Sequence, residues 1–178
     1  MKISFRLIPS AGSAFLAVAC AHGVITPPSS SSFPELIPRI MKADYDGDRP
    51  GLDRLYGDVD VYLRDERVES RVRYWKGYTK WRRAMNGANE ATTPPDLADD
   101  SALCADEMQR SSTLDPTFVD ARVGEMACLG LVLFFDSRHA GNKERIDRLR
   151  VLLGDLKETA SGNPRYVWAG GWPTSVHR

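Results

Sequence analysis

One segment limits the choice of fold more than any other. Between about Arg67 and Met85 the apolar and aromatic residues fall into two helical stripes. Val68, Val72 and Trp75 form one, and Tyr74, Tyr78, Trp81 and Met85 form the other. A surface helix carries a single apolar stripe facing its core, so two stripes mean packing on both sides. The segment predicts an interior helix of a stack, with further helices before and after it.

The flanking sequence supplies them. Glu35 to about Tyr45 carries Leu36, Ile37, Ile40 and Met41, and Arg49 to about Leu63 carries Leu52, Leu55, Tyr56, Val59 and Leu63, both at helical spacing. After the interior helix, "NGANEATTPPD" breaks the chain with Gly87 and the Pro94-Pro95 pair. A fourth helix is predicted from about Asp96 to Ser112. A fifth runs from about Pro116 to Phe135, with Asp115 as N-cap and Pro116 at the first helical position. After "DSRHAGN", a sixth from about Lys143 to Ala160 puts Ile146, Leu149, Leu153 and Leu156 on one face. Pro164 opens a seventh, which Gly170-Gly171 and Pro173 stop within about two turns. No run alternates strictly between apolar and polar residues, so the fold class is all-α. With 178 residues, 42% of them hydrophobic, the chain is long enough for one domain with a real core.

The two ends read differently from the body. Residues 1–20 have the form of an export signal: Lys2 and Arg6 make a basic start, and a mostly apolar run from Leu7 ends in Ala17-Val18-Ala19 before Cys20. Leu16-Ala17-Val18-Ala19-Cys20 resembles a bacterial lipoprotein signal, which would make Cys20 the lipidated first mature residue; the leucine stands one step too early, so simple secretion is the alternative. Residues 21–34, with "PPSSSSFP", form a Pro/Ser-rich tether, residues 35–170 the helical domain, and 171–178 an irregular tail. Export would place the protein in the periplasm or envelope, lipid-anchored or free. There Cys104 and Cys128 either pair as a disulfide or stand as two small buried helix residues.

A repeat emerges when the chain is laid against itself. "LDPTFVDA" at 114–121 and "GNPRYVWA" at 162–169 lie 48 residues apart. Each places Pro after Asp or Asn, an aromatic two residues on, then Val, then Ala after one more residue. This turn resembles the boundary of a tetratricopeptide repeat. Tyr74-Trp75-Lys76-Gly77-Tyr78 resembles the aromatic-Gly-aromatic core of a first repeat helix, with Cys104 and Ala105 as the small residues of a second. The resemblance covers roughly residues 34–170, although the period of 48 exceeds the family's usual 34 and no full Trp-x-x-Leu-Gly-x-x-Tyr is present. It implies antiparallel helix pairs stacked as a short tetratricopeptide-like α-solenoid. Its groove would hold a peptide or partner domain, with no catalysis and no cofactor. The short last helix implies either a shortened array or an end face covered by a partner or a second copy.

In such a stack the first helix of each pair lines the inner face, which nominates the segment from Arg67 to Met85. Seven basic residues (Arg67, Arg71, Arg73, Lys76, Lys80, Arg82, Arg83) stand there against the single acid Glu69, interleaved with four aromatics. Arg71, Tyr74, Tyr78, Trp81 and Arg82 are the candidate partner-binding residues, suited to an acidic peptide or protein. The other reading is internal: Glu90, Asp96, Asp99, Asp100, Asp106 and Glu107 form a run without a base that would lie on the next helix. Lys plus Arg equals Asp plus Glu at 24 each, so no global field draws in nucleic acid, which an exported protein rarely meets. Only His22, His139 and His177 are available for acid–base or metal chemistry, and no catalytic residue, cofactor site or metal site is assigned.

"ADYDGDRPGLDRLYGD" at 43–58 is the one other cluster of oxygen ligands. Asp44, Asp46 and Asp48 match positions 1, 3 and 5 of a calcium loop, which keeps a small envelope calcium module as the rival function. Position 6, where the turn needs Gly, is Arg49, and position 12, where a bidentate Glu belongs, is Leu55. The stretch also reads as a hinge: Gly47 ends one helix in a left-handed turn, Asp48 caps the next, and Pro50 lies in its first turn.

Overall fold

A computed structural model describes residues 32–170. The export-signal reading of 1–20, Cys20 and its lipidation, His22, the tether up to residue 31, and the tail 171–178 with His177 lie outside the described residues. Within them every regular element is helical: α1 (Phe33–Tyr45), α2 (Arg49–Asp58) continued by a 3₁₀ segment (Val59–Arg64), α3 (Glu69–Ala88), α4 (Leu97–Leu114), α5 (Val119–Phe135), α6 (Asn142–Leu156) and α7 (Pro164–Gly170). Among the described residues no helix is long and apolar enough to cross a membrane.

The hinge reading of 43–58 describes the geometry. Gly47 has φ +68°, Asp48 Oδ1 accepts the Gly51 amide at 2.9 Å, and Pro50 sits in the first turn of α2. A cap of this kind stabilises a helix by about 1 kcal/mol.

Helix α6 ends at Leu156 rather than Ala160 and α3 begins at Glu69 rather than Arg67, and four further boundaries differ from expectation for a physical reason. Helix α1 starts two residues early, inside the predicted tether, because Ser32 precedes it as N-cap and its amide donates to Glu35 Oε2 at 3.1 Å. The second helix tightens to 3₁₀ geometry at Val59, where the β-branched pair Val59 and Val61 lowers α-helical propensity. Gly87 does not break α3, which runs on to Ala88. A Cβ there would stand 2.6 Å from Leu97 Cδ2 and 2.9 Å from Arg49 Nε, so the glycine allows close approach instead. Asp115 and Pro116 do not open α5. Asp115 Oδ1 accepts the Thr117 amide at 3.1 Å, a side-chain-closed turn, and the helix begins at Val119.

The interior position of α3 is as expected. Leu36, Ile40, Leu52, Leu55, Val59 and Val72 form one buried cluster, and Tyr74, Met108, Val123, Met126, Leu149, Leu152 and Leu156 belong to a second. Trp75 and Tyr78 pack against both, so α3 is the wall between two cores. Fully burying an aliphatic side chain of this size contributes roughly 1.5–3 kcal/mol, which is why both stripes of α3 are apolar.

Helix α4 lies between α3 and α5, and Met108 is its wedge. A Cβ at Gly124 would sit 2.7 Å from Met108 Sδ, and one at Gly77 would sit 3.0 Å from Met108 Cγ. Both neighbours are glycine because the thioether occupies the space a methyl would take. Cys104 and Cys128, both fully buried, are joined as a disulfide with Cα atoms 5.9 Å apart, linking α4 to α5. Ser111 Oγ donates to Ser70 O at 2.7 Å while Ser70 Oγ donates to Ser111 O at 3.0 Å, tying α3 to the end of α4.

Candidate functional site

The basic residues of the segment 67–83 all find partners within the chain. Arg67 pairs with Asp65 at 2.8 Å, Arg71 with Asp115 at 3.3 Å, and Arg73 with Glu69 and Glu107, each at 3.0 Å. Lys76 pairs with Asp60 and, at 3.9 Å, with Glu107; Lys80 pairs with Asp53 at 2.5 Å and Asp100 at 3.4 Å. Arg82 meets Asp44 at 2.6 Å, and Arg83 meets Asp96 at 2.5 Å and also Asp100. The acidic run of α4 supplies Asp96, Asp100 and Glu107. The first two helices and the 3₁₀ segment supply Asp44, Asp53 and Asp60, while Glu69 lies on α3 itself and Asp65 and Asp115 lie in the turns before α3 and after α4.

The centre of this network is a buried ladder. Lys76 and Lys80, one turn apart on α3, are 3% and 6% exposed, and Asp100 and Glu107, two turns apart on α4, are 2% and 5% exposed. Tyr56 of α2 lies across both lysines, 3.7 Å from Lys76 Nζ and 4.6 Å from Lys80 Nζ to the ring centroid, and its hydroxyl donates to Glu107 Oε1 at 3.1 Å. Burial, then the charge and hydrogen bond of Glu107, push the Tyr56 hydroxyl well above the usual tyrosine range. Burial raises the Asp100 carboxyl as well, against the pull of Arg83 and Lys80. At the edges, the hydrogen bond from Lys80 lowers Asp53. Asp96 also falls, because bonds from Arg49 and Arg83 together outweigh its burial. Each buried charge meets opposite charge from a second helix, which offsets the several kcal/mol that desolvation costs per ion. The ladder holds α2, α3 and α4 in register.

The other side of α3 carries the five candidate partner-binding residues, and they form a continuous strip. Arg71 is exposed and stacks on Phe118 at 3.4 Å from the ring centroid, and Phe118 in turn meets the ring of Tyr74 at 4.9 Å. Tyr74 is buried rather than open to a groove. Tyr78 and Trp81 are half-buried and meet edge to face at 5.7 Å. Tyr78 donates its hydroxyl to Asp44 Oδ2 at 3.2 Å, and Arg82 leans over the Trp81 ring at 5.2 Å.

Three members of the strip come from elsewhere in the chain: Phe118, Asp44 and Arg165. Asp44 anchors Tyr78 and Arg82. Arg165 of α7 donates from Nη1 to the Tyr74 hydroxyl at 2.9 Å, with its Cζ 4.9 Å from the Trp81 centroid and 5.8 Å from that of Tyr78. A sequence signal for Arg165 exists in the repeat. Asn163 Oδ1 accepts the Arg165 amide at 3.0 Å just as Asp115 accepts that of Thr117, and Asn163 Nδ2 donates to Asp120 Oδ1 at 3.2 Å, so the two motif copies adopt the same turn side by side.

The alternating aspartates do not converge. Asp44 faces α3, Asp46 pairs with Lys42 at 2.5 Å, and Asp48 caps α2. Among the described residues, no three His, Cys, Asp or Glu side chains group as metal ligands. His139 accepts the Gly141 amide on Nδ1 at 2.9 Å in an exposed turn. Compared with known proteins, the chain matches no family model, no curated protein and no solved structure.

Proposed function

We propose that this protein is an exported, tetratricopeptide-like scaffold that holds a peptide or protein segment at the bacterial cell envelope, using the strip along α3. The observation that carries the reading is the strip itself: Tyr74, Tyr78 and Trp81, flanked by Arg71 and Arg82, spaced along one interior helix. Such a face offers the half-buried rings of Tyr78 and Trp81 to an extended chain at low entropic cost.

The solenoid part of the proposal has its own support. Contacts advance along α3 as they recede along α4, from Ser70 with Ser111 through Arg73 with Glu107 to Arg83 with Asp96. The same reversal relates α4 to α5 through Met108 beside Gly124 and Cys104 bonded to Cys128. Neighbours reversed in this way are what the antiparallel pairing of a helical repeat would require. The disulfide supports export, because such bonds persist in oxidising compartments.

The test is selection from a displayed library of short peptides. Wild-type protein should enrich a family of related peptides that Tyr78→Ala plus Trp81→Ala, with an unchanged circular-dichroism spectrum, no longer retains. Equal recovery by both proteins would remove the strip as the binding face. Intact mass of the protein purified from its native host reports cleavage and lipid at Cys20 together, and an uncleaved chain would end the envelope assignment.

A further inference from the structure

We propose that the strip on α3 is a receptor for the guanidinium group of an arginine-bearing peptide, and that Arg165 on α7 is its intramolecular occupant. This rests on the scaffold reading and names the ligand class of the same site, reversing the acidic partner expected from the charge count.

The first argument is what the strip holds. Arg71 and Arg82 each meet a carboxylate, Asp115 and Asp44. Arg165 forms no ion pair among the described residues; its guanidinium is taken up by the Tyr74 hydroxyl and the faces of Tyr78 and Trp81. A planar, weakly hydrated cation suits that environment better than a compact ammonium does. The strip is therefore built around a cation, while its own arginines are already neutralised. An acidic ligand would have to compete with Asp44 and Asp115 for them. An incoming arginine exchanges with Arg165 at no change in local charge.

The second argument is how α7 is held. The helix has seven residues, shorter than one that is stable alone, so it depends on docking. Its polar ties besides Arg165 include the exposed Asn163 to Asp120 bond just before its first residue and the Tyr166 hydroxyl donating to Leu153 O at 3.0 Å, and Tyr166 also packs against the second core. Trp81 Nε1 is buried without an acceptor among the described residues, so the ring that stacks the guanidinium also holds a donor for a ligand's main-chain carbonyl.

The experiment uses the full chain and a blocked glycine-arginine-glycine tripeptide. Its control is the citrulline analogue, which keeps the shape and lacks the charge. Binding is followed on the Trp81 indole N–H in proton–nitrogen correlation spectra, the signal being assigned by its loss in Trp81→Phe. Arg165→Gln should bind the arginine peptide saturably and the citrulline peptide not at all. Wild type should bind at least about tenfold more weakly, because a tethered competitor acts at millimolar effective concentration. Arg165→Lys, which keeps the charge but gives up the planar guanidinium and leaves the strip intact, should fall between the two and keeps the test open if Arg165→Gln disturbs α7. Equal titrations of wild type and Arg165→Gln, or equal affinity for the two peptides, would overturn the proposal. If library selection yields strip-dependent peptides without arginine while Arg165→Gln ignores the arginine peptide, the scaffold reading stands and this inference alone fails.

Discussion

Removing Asp100 and removing Lys76 should have very different consequences, although both are buried charges of one ladder. Asp100 touches three cations: Arg83, Lys80 at 3.4 Å and Arg49 at 3.8 Å. In Asp100→Ala these keep partners at the rim, Arg83 and Arg49 on Asp96 and Lys80 on Asp53, but three positive charges then crowd a site with little water. Breaking a buried pair from one side costs about 3–5 kcal/mol, and the surviving rim contacts place this case near about 3 kcal/mol. At this chain length that lowers Tm by about 10 °C. Lys76→Met removes a cation whose partners are otherwise provided for. Glu107 retains Arg73 at 3.0 Å and the Tyr56 hydroxyl at 3.1 Å, and Asp60 is more than half exposed. Replacing a buried charge by an apolar chain of similar length is then neutral within about 1 kcal/mol. Urea unfolding of the oxidised protein, read by circular dichroism with a common m-value, compares them directly. If Lys76→Met costs as much as Asp100→Ala, the ladder argument is wrong.

Three further outcomes follow from the same geometry. Reducing the Cys104–Cys128 bond, which closes a separation of 24 residues, should cost about 3 kcal/mol by loop-closure entropy; superimposable melts with and without reductant would contradict it. Gly124→Ala forces a methyl into the Met108 thioether and should cost about 1–3 kcal/mol, with part of the loss recovered when Met108→Ala is added; strict additivity in urea melts would show that the two do not touch. The acid limb of stability should depend on Asp96. Asp96 is lowered below 3.8 in the folded state, so its stabilisation is full above that pH and is lost as pH falls through the folded value; Asp96→Asn flattens the limb. Urea midpoints measured from about pH 6 to about pH 3 decide it, and an unchanged limb in Asp96→Asn would contradict the pairing.

Reading the chain forward recovers the elements well and the site unevenly. The two stripes of α3 correctly make it a wall between cores, and the hinge at Gly47 and Asp48 follows from two residues whose preferences are local. The acidic run of α4 is a partner for α3, as charge counting proposes, but counting does not say that Lys76 and Lys80 are buried. It also misses Asp44, Asp53 and Asp60, which meet Arg82, Lys80 and Lys76 from earlier in the chain. Asp115 and Pro116 look like a helix start, yet the Asp115 side chain closes a turn instead, because Thr117 offers both its amide and its hydroxyl, the latter at 2.6 Å.

Helix positions, caps and the apolar faces are written in neighbouring residues, since hydrogen bonds within a turn and the 3.6-residue period are short-range, and apolar burial has no direction to specify. Partner choice is not short-range. Lys80 reaches Asp53 across 27 residues and Arg165 reaches Tyr74 across 91. Which cation is sealed between two helices, and which lies on an aromatic face, depends on how closely those helices approach. That approach is set by packing, by Met108 between Gly77 and Gly124, and only the folded chain contains it.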